Sequence, residues 1–248
     1  MIPLRPALAG AVLVLLFTLP GHASARSPFV AEIETLATRY DKAPARLDAV
    51  REGLAEAARQ ESDAETWIAL ARACFIWGDV RAATAEQKLA AYAEGREAAR
   101  RAVELAPQSA LAHLFYAINT GRWGQTKGVG RSWFLLPEVR EAARRTLDLD
   151  PTLPAAYALA GNLDYEVPGV LGGSLERAEG YFRKGLGVDP HFTPLRVGLA
   201  KVLRKQGRVV EARRELRAVL DEGAPTNPAE WSMRDAPEAR ALLDALGP

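Results

Sequence analysis

Histidine, cysteine and clustered carboxylates are where enzymatic chemistry usually begins, and this 248-residue chain holds three histidines and one cysteine. His113 and His191 stand in no His-Glu-x-x-His or comparable ligand spacing, so a zinc site with Cys74 would need distant segments to converge by accident. Asp148 and Asp150 alternate before Pro151 as metal-loop carboxylates do. The matching places elsewhere hold Glu104 and Ala106, or Gly187 and Asp189, so the pair reads as the polar tail of a repeated helix. Gly128-Val129-Gly130 and Gly172-Gly173 lack the preceding strand and the following Lys-Ser/Thr or third glycine of a phosphate-cradling loop. Ser132 has Gly130 two residues before it but Phe134 two after, which defeats the nucleophile-elbow pattern. No nucleophile, base, metal set or cofactor motif emerges, and the chain is expected not to be an enzyme. What remains is recognition chemistry. From His113 to Pro137 the sequence gathers Asn119, Arg122, Trp123, Lys127, Arg131 and Trp133 around four glycines. Charged donors beside large aromatics on a long connection are typical of binding segments, and a packing plug is the competing reading for Trp133.

The elements that must hold these residues are helices. Ala99 to Pro107, Ala143 to Pro151 and Phe182 to Pro190 end alike, each closing a helical pattern with a proline. The prolines are 44 and 39 residues apart, and a further plain step of 34 reaches Ala224 beside Pro225. An internal repeat of this length means stacked helical hairpins, none of which can bury its apolar face alone. In the last unit Leu199-Ala200, Leu203, Gly207, Ala212, Leu216 and Val219 alternate large and small positions around the turn Gln206-Gly207-Arg208. The first unit carries Trp67, Leu70, Ala71, Cys74, Gly95, Ala99 and Ala102, with about twelve extra residues between its two helices. The third carries Tyr157, Ala160-Gly161, Ala178 and Phe182, its turn lengthened by residues 167–173. Pro28 to Tyr40 and Ala45 to Gln60 are also helical in pattern, Ser62 to Glu65 reads as a capping box, Asn227 to Met233 as a loop, and Asp235 to Leu246 as a capping helix.

These hairpin positions resemble the tetratricopeptide family. The Asn-x-Gly-Arg-Trp-x-x-x-Lys-Gly stretch from Asn119 and the Pro-Gly-x-x-Gly-Gly stretch from Pro168, with Tyr92-Ala-Glu-Gly95, are most similar to the TatT-like component of periplasmic TRAP-type transporters. They are more distantly similar to the regulator-of-microtubule-dynamics proteins. The resemblance covers roughly Ala45 to Leu220 and implies an all-α, tetratricopeptide-like helical-hairpin solenoid with lengthened connections and terminal capping helices. The hairpins are expected near 64–107, 110–151, 154–190 and 193–224, with a cap at 235–247. It also implies an adaptor working beside a periplasmic solute-binding protein. Carried across residue by residue, the inward positions are Ile68, Arg72 and Phe75; Leu114, Ile118 and Arg122; Ala158, Asn162 and Tyr165; Val197, Lys201 and Arg204. With Asn119, Trp123 and Lys127 they define a groove for a protein segment or a small acidic or amphipathic ligand. A purely architectural scaffold of the cell envelope, without a small-molecule ligand, is the alternative.

Residues 1–25 read as a cleavable signal peptide, with Arg5 ahead of an apolar run from Ala7 to Leu19 and Ala23-Ser24-Ala25 as the cleavage pattern. Residues 26–248 then form a single helical-repeat domain, periplasmic or secreted and soluble, with no membrane span after processing and no cysteine at the cleavage point for a lipid anchor. Loss of Arg5 leaves 31 basic against 31 acidic residues, which gives no electrostatic footprint for nucleic acid and no basic run for an anionic membrane. One cysteine forbids an intramolecular disulfide, and Cys74 sits at a packed position as a small buried hydrophobe.

Overall fold

The computed structural model describes residues 27–60 and 63–247, and every described element is helical. The signal-peptide reading and the Ser62 end of the expected capping box lie outside these residues. Ten helices form five antiparallel pairs: α1 (Pro28–Leu36) with α2 (Arg46–Gln60), α3 (Ala64–Val80) with α4 (Ala85–Leu105), α5 (Ala110–Lys127) with α6 (Val129–Leu149), α7 (Pro154–Glu166) with α8 (Leu175–Val188), and α9 (Thr193–Lys205) with α10 (Val209–Leu220). A short α11 (Pro228–Glu230), one π turn (Trp231–Asp235) and α12 (Ala236–Ala245) follow.

Local sequence starts these helices where side chains can satisfy free backbone amides. Asp63 caps α3, its carboxylate accepting from the Thr66 amide at 2.9 Å. Thr84 and Gln87 form a reciprocal capping box on α4, Ser109 and Ser174 cap α5 and α8, and proline occupies the first turn of α7 and α9.

The extra residues of the first two hairpins are not loops. They lengthen the helices, so that α4 and α6 run 21 residues each against 12 for α10. The expected long connection from Asn119 to Pro137 is therefore corrected: Asn119, Arg122, Trp123 and Lys127 lie on α5, Pro137 lies inside α6, and Gly128 alone joins the two. Its φ of 109° lies in the region that side chains disfavour, which is why a one-residue hinge here is glycine. Pairs stack through apolar cores. Phe182 is wholly buried among Leu195, Leu199, Leu203 and Ala212, while Leu47, Val50 and Leu54 of α2 pack against α1 and α3.

The opening helices touch across neighbouring pairs, α3 against α5 and α7 against α9, and line one inner face. Part of that face is covered. Residues 227–233, expected to be a loop, form with Arg234 and Asp235 short helical turns that cross it and tie the two ends of the molecule together. Asn227 donates through Nδ2 to the Ala37 carbonyl at 3.3 Å and the Ala229 amide donates to the Thr38 carbonyl at 3.1 Å, contacts spanning some 190 residues. Trp231 Nε1 donates to the Val219 carbonyl at 2.7 Å, and Thr193 donates to Asp235 at 2.6 Å.

Candidate functional site

Three of the residues read as groove-lining meet on the inner face. Arg72 of α3 lays its guanidinium over the Phe115 ring, 5.1 Å from the centroid, and burial draws its pKa below the usual arginine range, with Glu34 opposing. Phe75 is half-buried one turn on, and Arg122 of α5 reaches across to it with 5.9 Å between guanidinium and ring centre. Arg122 also donates through Nη2 to Asp79 Oδ2 at 2.7 Å, while the Tyr92 hydroxyl donates to Asp79 Oδ1 at 2.5 Å. Asp79 thus holds Arg122 with one nitrogen, and among the described residues no other acceptor takes its remaining donors.

Opposite them stands the crossing segment. Glu230 and Arg234 pair at 2.5 Å, and Arg234 also reaches Asp235 at 3.1 Å. Desolvation raises the Glu230 carboxyl above its ordinary range although Arg234 pulls it down, with Asp235 and Asp79 adding repulsion and Arg122 attraction. Asp235 is raised for the same first reason. Tyr40 is pushed up by burial, then by Glu230. Arg234 is desolvated although its side chain is 41% accessible, as fits a charge inside a concavity and not on a convex surface. Asp79, Arg122, Tyr40, Glu230, Arg234 and Asp235 therefore form one inner polar cluster, drawn from four separate parts of the chain.

Other expected site residues lie elsewhere. Asn119 is wholly buried, Nδ2 donating to the Ala71 carbonyl at 3.1 Å and the Phe115 carbonyl at 2.9 Å, so it joins α5 to α3 and lines no groove. Trp123 does not share a surface with Arg122, because consecutive helical residues diverge by about 100°. It turns towards Arg96 of α4 and Arg131 of α6, which with Lys127 of its own helix lie 5.7 to 5.8 Å from its ring centre. Lys201 is ion-paired with Glu238 and Val197 is buried beneath Ala239 and Leu242, so α12 covers the inner face of α9. Tyr165 carries Lys205 Nζ 3.7 Å above its ring and borders a shallow depression of about 450 Å³ with Asp164, Ser174 and Glu176. Asn162 and Arg204 are exposed on α7 and α9.

The sequence reading missed Asp79, Tyr92, Glu230 and Arg234. Asp79 could have been found as a carboxylate one helical turn from Phe75 on the same opening helix. No local signal marks Glu230 and Arg234, whose place depends on the closure of the whole ring. Among the described residues no group of three or more His, Cys, Asp or Glu could hold a metal, and Cys74 is buried, its thiol pKa raised by desolvation and then by Glu94.

Two family descriptions match consecutive parts of the chain. The family model "Regulator of microtubule dynamics protein 1-3" matches residues 29–171, more than half the chain, and a tetratricopeptide-repeat model matches residues 172–233. No curated protein matches. Among solved structures, a thermophilic tetratricopeptide protein of Thermus thermophilus superposes with a TM-score of 0.63 at 18% identity, covering 86% of this chain and 99% of its own. PilF of Pseudomonas aeruginosa gives 0.53 at 16% identity, covering 89% and 92%. These likenesses establish a tetratricopeptide fold.

Proposed function

We infer that this chain, which belongs to the regulator of microtubule dynamics protein 1-3 family and folds as a tetratricopeptide solenoid, is a non-enzymatic adaptor that holds a segment of another protein on its inner face. The observation that carries the reading is the pairing of Arg122 with Phe75 beside Arg72 over Phe115. Two cations there lie against apolar rings on a concave wall, and Arg122 keeps donors to spare. Such a wall suits a segment or small molecule with a carboxylate next to an apolar group, since charge-assisted hydrogen bonds fix orientation while rings supply contact area.

The finer reading is an exported, TatT-like adaptor assisting a periplasmic solute-binding protein of a TRAP-type transporter. It rests on the apolar run before Ala25 and on the Asn119 and Pro168 stretches. None of the described helices is long and apolar enough to cross a membrane. Expressed in a Gram-negative host, the protein should begin at Arg26 and appear in the soluble periplasmic fraction. Retention of Met1 on membrane-bound protein would overturn the export half.

The adaptor half is tested with a photo-crosslinking amino acid at Phe75, on the inner wall, or at Lys184, exposed on α8. A partner should be captured from Phe75 and not from Lys184. Capture from Lys184 alone would move the binding surface to the outside.

A further inference from the structure

The α5–α6 tip is unlike the rest of the surface in three ways. First, it projects. Arg140 of α6 donates to the carbonyls of Leu171 and Gly172 at 3.2 and 3.0 Å, which sets the neighbouring α7–α8 turn level with Arg140. Residues 128–136 precede Arg140 by four to twelve residues and so lie about 6 to 18 Å further along the helix axis at about 1.5 Å per residue. Second, it is apolar where it projects: Phe134 is 75% exposed, Val129 65% and Trp133 50%, and Val170 on the next turn is 94% exposed. Third, no Asp or Glu occurs between Glu104 and Glu138, whereas Arg122, Lys127 and Arg131 do. Lys127 and Arg131 have no carboxylate partner among the described residues. Both rest instead on Trp123, 5.7 Å from its ring centre, and Arg131 lies equally close to Phe134.

We propose that this tip docks on an anionic lipid surface, Val129, Trp133 and Phe134 entering the headgroup boundary while Lys127 and Arg131 bind lipid phosphates. A convex knob of three separate apolar side chains offers a rigid protein partner little flat area, yet it enters a soft apolar phase readily. Tryptophan favours that boundary because its ring is amphipathic. The two cations flank the apolar residues at the level that headgroup phosphates would occupy. Each basic side chain near an anionic leaflet contributes attraction of its own, so the two reinforce the shallow apolar insertion. Lack of a consecutive basic run hides this arrangement in the linear sequence, since the cations are four residues apart and share a surface only once the helices turn at Gly128.

The test is flotation of the purified protein with vesicles of phosphatidylcholine alone and of phosphatidylcholine with a minor fraction of phosphatidylglycerol. Binding is expected to the second kind, weakening with salt, and to fall about tenfold or more in Trp133→Ser/Phe134→Ser and in Lys127→Gln/Arg131→Gln. Melting temperatures should stay close to that of the parent, because these side chains touch little. Brominated lipid should quench tryptophan emission, and Trp133→Phe should remove most of that quenching. No binding to anionic vesicles, or binding indifferent to both double variants, would overturn the proposal. So would sedimentation showing a dimer that Trp133→Ser/Phe134→Ser dissolves, since the tip would then be an interface between copies of this chain.

Discussion

At the residue scale, the contact between Gly95 and Asn119 decides how closely α4, α5 and α3 can approach. A Cβ on Gly95 would lie 2.3 Å from Asn119 Oδ1, a separation that real side chains do not show. Asn119 cannot move aside freely, because its Nδ2 bridges the Ala71 and Phe115 carbonyls inside the core. Gly95→Ala is therefore expected to destabilise the protein by about 1–3 kcal/mol through overpacking. Asn119→Ala should cost about 1–3 kcal/mol by leaving a buried carbonyl without its donor. In the double variant the contact with Asn119 is gone and only Cys74 Cβ, at 2.9 Å, still crowds the new methyl, so the combined loss should be smaller than the sum of the two, a coupling readable by denaturant melts. Strict additivity would show that the two residues do not meet. Asn119 also illustrates why a polar residue in an unusual motif misleads. Its sequence context advertises binding, and only its burial shows that the motif serves helix packing.

At the element scale, the hairpins follow from patterned size. Ala212, Leu203 and Phe182 meet in one cluster because small positions on one helix face large positions on the next. Ala212→Trp should lower stability by about 1–3 kcal/mol or more, since the site is wholly buried with no slack to accept an indole. An unchanged melting temperature would contradict the assigned pairing of α9 with α10. Much of this was legible in the sequence: the proline-ended units mark α4, α6 and α8, and Gly207 marks the last turn. The lengthened units were misjudged because glycines at positions 121, 124, 128 and 130 suggest a loop by composition. Gly121 and Gly124 instead lie within α5, Gly124 in close contact with Leu135 and the Ser132 backbone of α6. Composition alone cannot distinguish a glycine that breaks a helix from one that lets two helices touch. The inner-face residues Arg72, Phe75 and Arg122 were legible because repeat position dictates facing direction. Trp123 was grouped with Arg122 through adjacency in sequence, and a helix separates adjacent residues.

At the scale of the whole molecule, closure is the property that no single segment encodes. Asn227 and Ala229 meet the end of α1 only because five stacked pairs curve far enough to bring them there. That closure should respond to pH. Glu230 and Asp235 both have pKa values raised by desolvation. A carboxyl raised in the folded state contributes stability that is fully present below its ordinary pKa and lost as pH rises through the raised one. Arg234 and Arg122 oppose the rise at this pair, Asp79 and Glu238 reinforce it, and the balance keeps its sign. Exposed carboxylates held by arginine, among them Asp48, Glu97 and Glu211, have lowered pKa values and act oppositely at lower pH. Hydrogen exchange of the Ala229 amide, corrected for intrinsic rate, should therefore be slower at about pH 5.5 than at about pH 8, and Glu230→Gln should flatten the difference. Faster exchange at the lower pH would contradict the assignment.

The central claim is that the inner wall around Arg122 is a binding surface and not merely a brace between α5 and α3. Arg122→Ala, with partner affinity and melting temperature measured on the same purified protein, tests it most directly, using the partner captured from Phe75. Hydrogen bonds to charged groups contribute about 1.5–3 kcal/mol, so affinity should fall about tenfold or more. The lost Asp79 ion pair is partly solvated and should barely move stability. A large drop in melting temperature with unchanged affinity per folded molecule would show Arg122 to be a brace, and the account of the inner face as the binding site would fail.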